Sequence, residues 1–410
     1  MVKYVNNELH IEKVSFSNIA KKYGTAAYVY SKNQIISNLQ DYQKALKPVD
    51  GLICFACKTN SNGQILKLLA KHGAGADTVS GGEIFRCINA GFAPSKIVFA
   101  GVGKTAEEIE YALKNKILMF NVESFEELEA INRIAGKLKT KAKIALRINP
   151  DVDPDTHSYV VTGKKGTKFG IPYEEAFEAY LIASKMKNVQ PVSIHMHIGS
   201  QILEIDSFIL AAKKMKKLID SLEKAGIKPE YINCGGGLGI KYADDTVATA
   251  PKRLLSEMFK VFGTGKKFIF EPGRSIIGNT GHLLTKVLYR KISGDKNFLI
   301  TDAAMNDLIR PTLYNAYHDI VPVKRTAARK VKTDVVGPIC ESGDFMGKDR
   351  MLPVLDNGEL LLVKNAGAYG AAMASEYNSR PFLPEILVDG NKTYLIRKRA
   401  TYKDLILNEI

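Results

Sequence analysis

Between residues 51 and 277 the chain alternates between two hydrophobic periods. Short apolar runs are followed by stretches in which apolar positions recur every three or four residues, and the alternation repeats along the whole span. The runs at 52–57 (LICFAC), 76–79 (ADTV), 96–100 (KIVFA), 117–121 (ILMFN), 142–148 (AKIALRI), 192–198 (VSIHMHI), 230–234 (EYINC) and 267–271 (KFIFE) predict strands. The stretches at 62–72, 81–90, 105–115, 124–138, 173–187, 206–225 and 250–262 predict helices. The helix at 124–138 has a visible polarity: Ser124 can cap it, Glu126 and Glu127 lie in its first turn, and Lys137 lies near its end. Strands alternating with helices predict an α/β fold, a (β/α)8 TIM barrel, which typically takes ~250 residues. A doubly wound open sheet is the structural alternative, distinguished by a reversal of strand order.

Beyond residue 277 the pattern changes. The segments HLLTKVLYRKI (282–292), NFLITDA (297–303), TDVVGPIC (333–340), ELLLVKN (359–365) and EILVDGNKTYLIRKR (385–399) predict strands, and Asp389-Gly390 predicts a hairpin within the last of them. Helical period is scarce until the tail. This predicts a second domain that is all-β, sandwich-like or Greek-key-like. The short strand AAYVY (26–30) can join it, and the helix-like 31–46 leads into the barrel. The expected division is 31–276 for the barrel, with 1–30 and 277–410 forming a β-domain from both chain ends.

Composition narrows the class. The chain has 410 residues, 45% hydrophobic and 25% charged, which excludes disorder as the main state. No stretch reaches the ~20 apolar residues of a membrane span. The start, MVKYVNNELHIEKVSF, has no apolar segment of the secretory kind. Five cysteines in a chain this long are no disulfide scaffold, so a reducing, cytoplasmic compartment is expected. The net charge of +15 raises the question of nucleic acid. The lysines are scattered, however, and KKMKK (213–217) lies within an amphipathic pattern as a solvated helix face. Neither a nucleic-acid nor a membrane partner is expected.

Catalytic groups of such barrels sit at the C-terminal ends of strands. There the sequence places Lys58 after strand one, Asp77 within strand two before Ser80-Gly81-Gly82, and Arg147 at the end of strand five. Strand six carries His195 and His197, then Gly199-Ser200. Strand seven runs into Cys234-Gly235-Gly236-Gly237, and strand eight into Glu271-Pro272-Gly273-Arg274. A lysine in a desolvated mouth can form an imine. Successive glycines such as Gly236 and Gly237 let backbone N–H groups approach a phosphate, the usual phosphate site of this fold being the loops after strands seven and eight. A carboxylate at the end of strand eight can pair with a pyridinium nitrogen. Pyridoxal 5'-phosphate requires all three. Each feature also has a plainer meaning. Most lysines lie on the surface, and a glycine triplet is commonly a turn. His195-x-His197 could signal a metal, but His10, His72, His157, His282 and His318 supply no third ligand at recognisable spacing. Cys54 and Cys57 have redox spacing, yet on a strand they point to opposite faces.

CFACKTN (54–60), HMHIGSQ (195–201), NCGGGLG (233–239), EPGR (271–274), MNDLIRPTLYNAYH (305–318), GPICESGD (337–344) and NAGAYGAAMASEYN (365–378) together resemble the diaminopimelate decarboxylase family. These are fold-type III pyridoxal-phosphate enzymes akin to ornithine and arginine decarboxylases. The resemblance runs over most of the chain in matching order. It implies decarboxylation of meso-2,6-diaminopimelate to L-lysine and CO2, the last step of lysine biosynthesis. Lys58 would be the imine lysine, Asp77 would lie near the cofactor, and His197 would stack on its ring. Ser200, Gly237, Gly273 and the Arg274 backbone would hold the phosphate, and Glu271 would pair with the ring nitrogen. Tyr369 would contact cofactor and substrate. The resemblance further implies a homodimer with shared active sites, the GPICESGD segment entering from the partner subunit.

On this basis Cys340 is the candidate acid that protonates the carbanion, since thiols titrate near ~8.5. Its plainer role is a buried structural thiol. Diaminopimelate carries a second amino-acid head, so its distal pocket needs an arginine as well as an acid. Arg274 and Arg310 are candidates for the distal carboxylate, Tyr314 for a further donor to it, and Glu341 for the distal ammonium. Thr59 and Thr167 stand where the family commonly has Ala and Ser. The alternatives are a related basic amino-acid or carboxynorspermidine-type decarboxylase and, in another class, a non-catalytic regulatory homologue. A fold-type III racemase is disfavoured by Glu271.

Overall fold

The computed structural model describes residues 2–153, 162–163, 166–243 and 246–410. His157 lies outside the described residues. The chain divides into two compact units. One comprises Asn38–Ile240 and Val247–Ser275; the other comprises Met1–Ser37, Lys241–Thr246 and Ile276–Ile410.

The first unit is a closed barrel of eight parallel strands: β1 (Gly51–Ala56), β2 (Gly75–Thr78), β3 (Ile97–Phe99), β4 (Met119–Val122), β5 (Ala142–Asn149), β6 (Val189–His195), β7 (Tyr231–Asn233) and β8 (Lys267–Phe270). Each strand pairs with its neighbour in sequence. Closure comes from β8 beside β1, with Phe268 opposite Gly51. This strand order excludes the doubly wound alternative. Parallel strands covered on both faces by helices and core need side chains that are apolar throughout, and Ile97–Phe99 and Phe268–Phe270 are buried at every position. Cys54, Val98, Met119, Ala145, Val192 and Ile269 form a core cluster drawn from six different strands. Full burial of each larger side chain is worth roughly 1.5–3 kcal/mol.

The connecting helices begin where the local chemistry supplies caps. Ser124 accepts from the Glu127 N–H at the start of Phe125–Lys137. Thr105 and Glu108 form a reciprocal capping box ahead of Ala106–Lys114, and Ser80 accepts from Glu83 before Gly81–Asn89. Each such cap satisfies an orphan N–H and is worth about 1 kcal/mol.

The second unit is built on a mixed sheet. Strand Ala27–Ser31 lies between Gly281–Ser293, antiparallel to it, and Glu385–Asp389, parallel to it, so both chain ends meet in one sheet. Glu385–Asp389 and Lys392–Arg397 form the predicted hairpin. Its two-residue loop is Gly390-Asn391 rather than Asp389-Gly390, with Gly390 at φ +61°. Glycine in the first central position suits the strand twist. Helix Phe16–Tyr23, absent from the sequence expectation, packs Phe16 and Ile19 against Val29, Leu284, Leu362 and Val388 of the sheet.

Candidate active site

In the barrel, strand β1 ends in a short turn, Cys57–Thr59, that carries Lys58. Its ammonium donates to Asp77 Oδ2 at 2.8 Å. Asp77 comes from the fully buried strand β2, which makes this a half-buried pair. Burial raises the Asp77 pKa, Lys58 opposes the rise, and the nearby Glu271 charge adds to it. Asp77 Oδ1 is buried without a protein hydrogen-bond partner among the described residues.

Glu271 follows β8 and is held by a cage. Asn121 Nδ2 donates to its Oε1 at 2.9 Å and Asn233 Nδ2 to the same oxygen at 2.6 Å, while His195 Nε2 lies 3.3 Å from Oε2. Burial alone would raise its pKa. His195, Lys58 and the Asn233 hydrogen bond outweigh burial and hold the carboxyl below its usual range. Glu271 is therefore an anion across the neutral pH range. His195 is buried against it. Among the described residues there is no group of three or more His, Cys, Asp or Glu arranged to hold a metal. His195 and His197 do not share a role either: β6 ends at His195, and His197 lies in the turn beyond. The Gly236 N–H donates to His197 Nδ1 at 3.1 Å. Burial and the Arg147 charge push the His197 pKa well down, so the ring stays neutral.

The glycine turn after β7 cannot carry side chains. Gly237 has φ +112°, and a Cβ on it would stand 2.6 Å from the Gly199 oxygen; one on Gly236 would collide with the Glu271 carbonyl. The turn thus packs on the loops that carry His197 and Glu271. Gly273 similarly packs on the turn holding Lys58, where a Cβ would meet Ala56 at 2.9 Å. Arg274 is buried, and its Nη2 donates to Ser200 Oγ at 3.0 Å.

Asn121 and Glu83 are site residues outside the quoted motifs, and Asn233 lies in one of them, NCGGGLG, without an assigned role. Asn121 and Asn233 stand at the ends of predicted strands, where catalytic groups of such barrels sit. Glu83 accepts from the Val79 N–H, and burial lifts its carboxyl to about 7 despite Lys58 nearby. A further pair braces the mouth: Arg147 donates to Glu123 at 2.7 Å, and Glu123 in turn accepts from the Gly170 N–H at 2.9 Å.

The second unit carries its own group. Helix Arg310–Tyr314 presents Arg310, buried, and Tyr314, half-buried. The loop 337–344 carries Cys340 and Glu341, both exposed. Within the chain the Cys340 thiol is exposed rather than buried in the core. Asp344 closes the loop, accepting from Met305 and Ile339 N–H groups at 2.7 Å each. Thr312 donates to the Gly343 oxygen and so ties the helix to the loop. Tyr369 has φ +57° and is half-buried.

Residues 32–278 match the pyridoxal-binding domain of the pyridoxal-dependent decarboxylases. The chain is 49% identical to the diaminopimelate decarboxylase of Aquifex aeolicus over 406 residues, 99% of this chain and 96% of that one. Among solved structures, the diaminopimelate decarboxylase of Helicobacter pylori complexed with L-lysine is 44% identical with a TM-score of 0.93, covering 96% of this chain and 99% of that one. The diaminopimelate decarboxylase of M. jannaschii in co-complex with L-lysine is 38% identical with a TM-score of 0.95, covering 100% of this chain and 97% of that one.

Barrel, β-unit and full-length likeness agree, and the chain belongs to the pyridoxal-dependent decarboxylases. It is a pyridoxal-phosphate-dependent carboxy-lyase. The residues present fit that cofactor: an amine at a strand end, an anionic carboxylate, a neutral imidazole, a glycine turn, and a buried Asp77 oxygen still open to a polar partner. Among the described residues no helix is long and apolar enough to cross a membrane.

Proposed function

We infer that this enzyme decarboxylates meso-2,6-diaminopimelate, releasing CO2 and L-lysine. The single observation that carries the chemistry is Glu271, held ionised in its amide cage within electrostatic reach of Lys58. The relatives' full-length identity supports the substrate.

Bound pyridoxal phosphate supplies an electron-poor ring that takes up the electron pair left when CO2 departs. The chain's own residues do the rest. Lys58 would hold the cofactor through its aldehyde, and Asp77 Oδ2, which accepts from Nζ, orients that amine and can take the proton it must lose. Glu271 would hold a proton on the ring nitrogen, because a fixed anion in a buried site stabilises an adjacent cation. His197, neutral and oriented by the Gly236 N–H, offers its ring face. The loops bearing Ser200, Gly236, Gly237, Gly273 and Arg274 receive the phosphate.

The C–CO2 bond breaks, and the carbon left behind gains one proton. Cys340 Sγ is the donor, and solvent reprotonates it between turnovers. Arg274, Arg310 and Tyr314 take the distal carboxylate, Glu341 takes the distal ammonium, and Tyr369 contacts cofactor and substrate. A substrate with an amino-acid head at each end needs both signs of charge there, which a simple diamine precursor does not. The enzyme works as a cytoplasmic homodimer in which residues 337–344 of one protomer complete the site of the other. Cys340 and Glu341 sit exposed on a pinned loop, as such a role requires.

The test is incubation of the purified chain with pyridoxal phosphate and meso-diaminopimelate. Equimolar CO2 and L-lysine are expected. Release of CO2 from ornithine or arginine in preference would assign the chain to a related decarboxylase instead.

A further inference from the structure

Arg310 is buried at 5% exposure, yet its orientation is set by a residue to which no role has been assigned. Helix Arg310–Tyr314 ends at Asn315 in the left-handed conformation, which turns the chain back. His318 then returns to the start of the helix, and Arg310 Nη1 lies 2.8 Å from His318 Nε2. The other ring nitrogen is fixed by the sheet. Strand Ile320–Pro322 pairs antiparallel with Leu360–Val363, Ile320 standing opposite Val363, and the Lys364 N–H donates to the Asp319 oxygen. That register sets His318 Nδ1 2.9 Å from the Lys364 carbonyl.

The two contacts determine the tautomer. A carbonyl oxygen only accepts, so Nδ1 carries the proton. A guanidinium only donates, so Nε2 presents its lone pair. His318 is thus neutral and accepts from Arg310. The ring is fully buried, and Tyr242 completes the holder, lying edge-on to His318 and under the Arg310 guanidinium at 4.7 Å. A carboxylate in this place would fix Arg310 equally well but would cancel its charge. A neutral imidazole directs the guanidinium without placing a negative charge beside it.

We infer that His318 is a positioning residue for substrate specificity: through Nε2 it aims Arg310 at the distal carboxylate of the substrate and of L-lysine. This rests on the role given to Arg310 above.

The two amide substitutions separate this from a packing role. In His318→Gln the side-chain amide reaches the place of Nε2, and its oxygen can accept from Arg310. In His318→Asn the amide reaches the place of Nδ1 and can donate to Lys364 but cannot serve Arg310. The experiment compares holoenzyme with His318→Phe, His318→Asn, His318→Gln and Arg310→Ala. It measures kcat and KM for meso-diaminopimelate, and binding of two probes: L-lysine, which has the distal carboxylate, and 1,5-diaminopentane, which has none.

His318→Phe and His318→Asn are expected to raise KM and weaken L-lysine roughly tenfold to a hundredfold, as for loss of a charge-assisted hydrogen bond. Binding of 1,5-diaminopentane should stay within about twofold and kcat should move less than KM. His318→Gln should recover most of the loss. Recovery by Asn in place of Gln, or equal weakening of both probes, would overturn the proposal in favour of packing. If Arg310→Ala leaves L-lysine binding unchanged, the role of Arg310 itself fails. If Arg310→Ala weakens L-lysine and the His318 variants do not, the substrate reading stands and the His318 inference alone fails. Should His318→Phe not fold, the Asn and Gln pair decides the matter.

Discussion

In the barrel, the acids near the mouth are buried and already engaged: Asp77 with Lys58, Glu123 with Arg147, Glu271 with two amides and a histidine. In the β-unit the arrangement is reversed. Cys340 and Glu341 are exposed on a loop, and in the same unit a buried cation, Arg310, lies against the ring of His318. Burial inside a fixed network presets charge before any ligand arrives, which is what electrostatic stabilisation requires. Loop residues at the surface are cheaper to exchange, and they suit the choice of substrate and the delivery of a proton.

Breaking the barrel side should have the largest effect. Lys58→Ala should leave no measurable turnover and no absorbance beyond that of free pyridoxal phosphate when the cofactor is added, while the fold survives, since Lys58 is half-buried and caps no core. Next comes the proton donor. Cys340→Ala should lower kcat by roughly 10²–10⁴-fold with cofactor binding unchanged, as read by titration of its absorbance. Mixing these two inactive variants should restore roughly a quarter of the wild-type rate if protomers share sites symmetrically; no recovery would deny the shared site. Glu271→Gln should lower kcat on the order of 10²–10³-fold and should raise KM far less.

The smallest expected effect is on stability and lies in the β-unit. Asp307 is buried, and burial lifts its carboxyl to about 7, only partly offset by the Ala304 N–H it accepts. Between about pH 4 and pH 7 the folded chain keeps a proton there that the unfolded chain has released. Stability from this group is therefore full at low pH and is lost as pH rises through about 7. Asp307→Asn, neutral and able to keep the Ala304 contact, should raise the melting temperature by a few degrees at pH 8. The gain should vanish towards pH 4. A gain independent of pH would show that ionisation is not its cause.

Much of this was legible in the chain. Buried parallel strands need unbroken apolar runs, so all eight barrel strands stand out, and Lys58, His197 and Glu271 lie in distinctive motifs. Asn121 and Asn233 were not legible in the same way, because asparagine at a strand end looks like ordinary turn chemistry. Their partner, Glu271, is 150 residues away from Asn121 in sequence. His318 was hidden for a different reason: its role depends on the register of the three-residue strand Ile320–Pro322, too short to read as a period. Helix Phe16–Tyr23 had a signal, Ser15 as a cap and apolar Phe16, Ile19, Ala20 and Tyr23 at helical spacing, but over a span of eight residues.

The most direct test of the central claim is to add pyridoxal phosphate, reduce with borohydride, digest, and locate the pyridoxyl adduct by mass spectrometry. The adduct is expected on Lys58, with the yellow colour lost on reduction. An adduct on other lysines alone, in a preparation that still releases CO2 from meso-diaminopimelate, would contradict it.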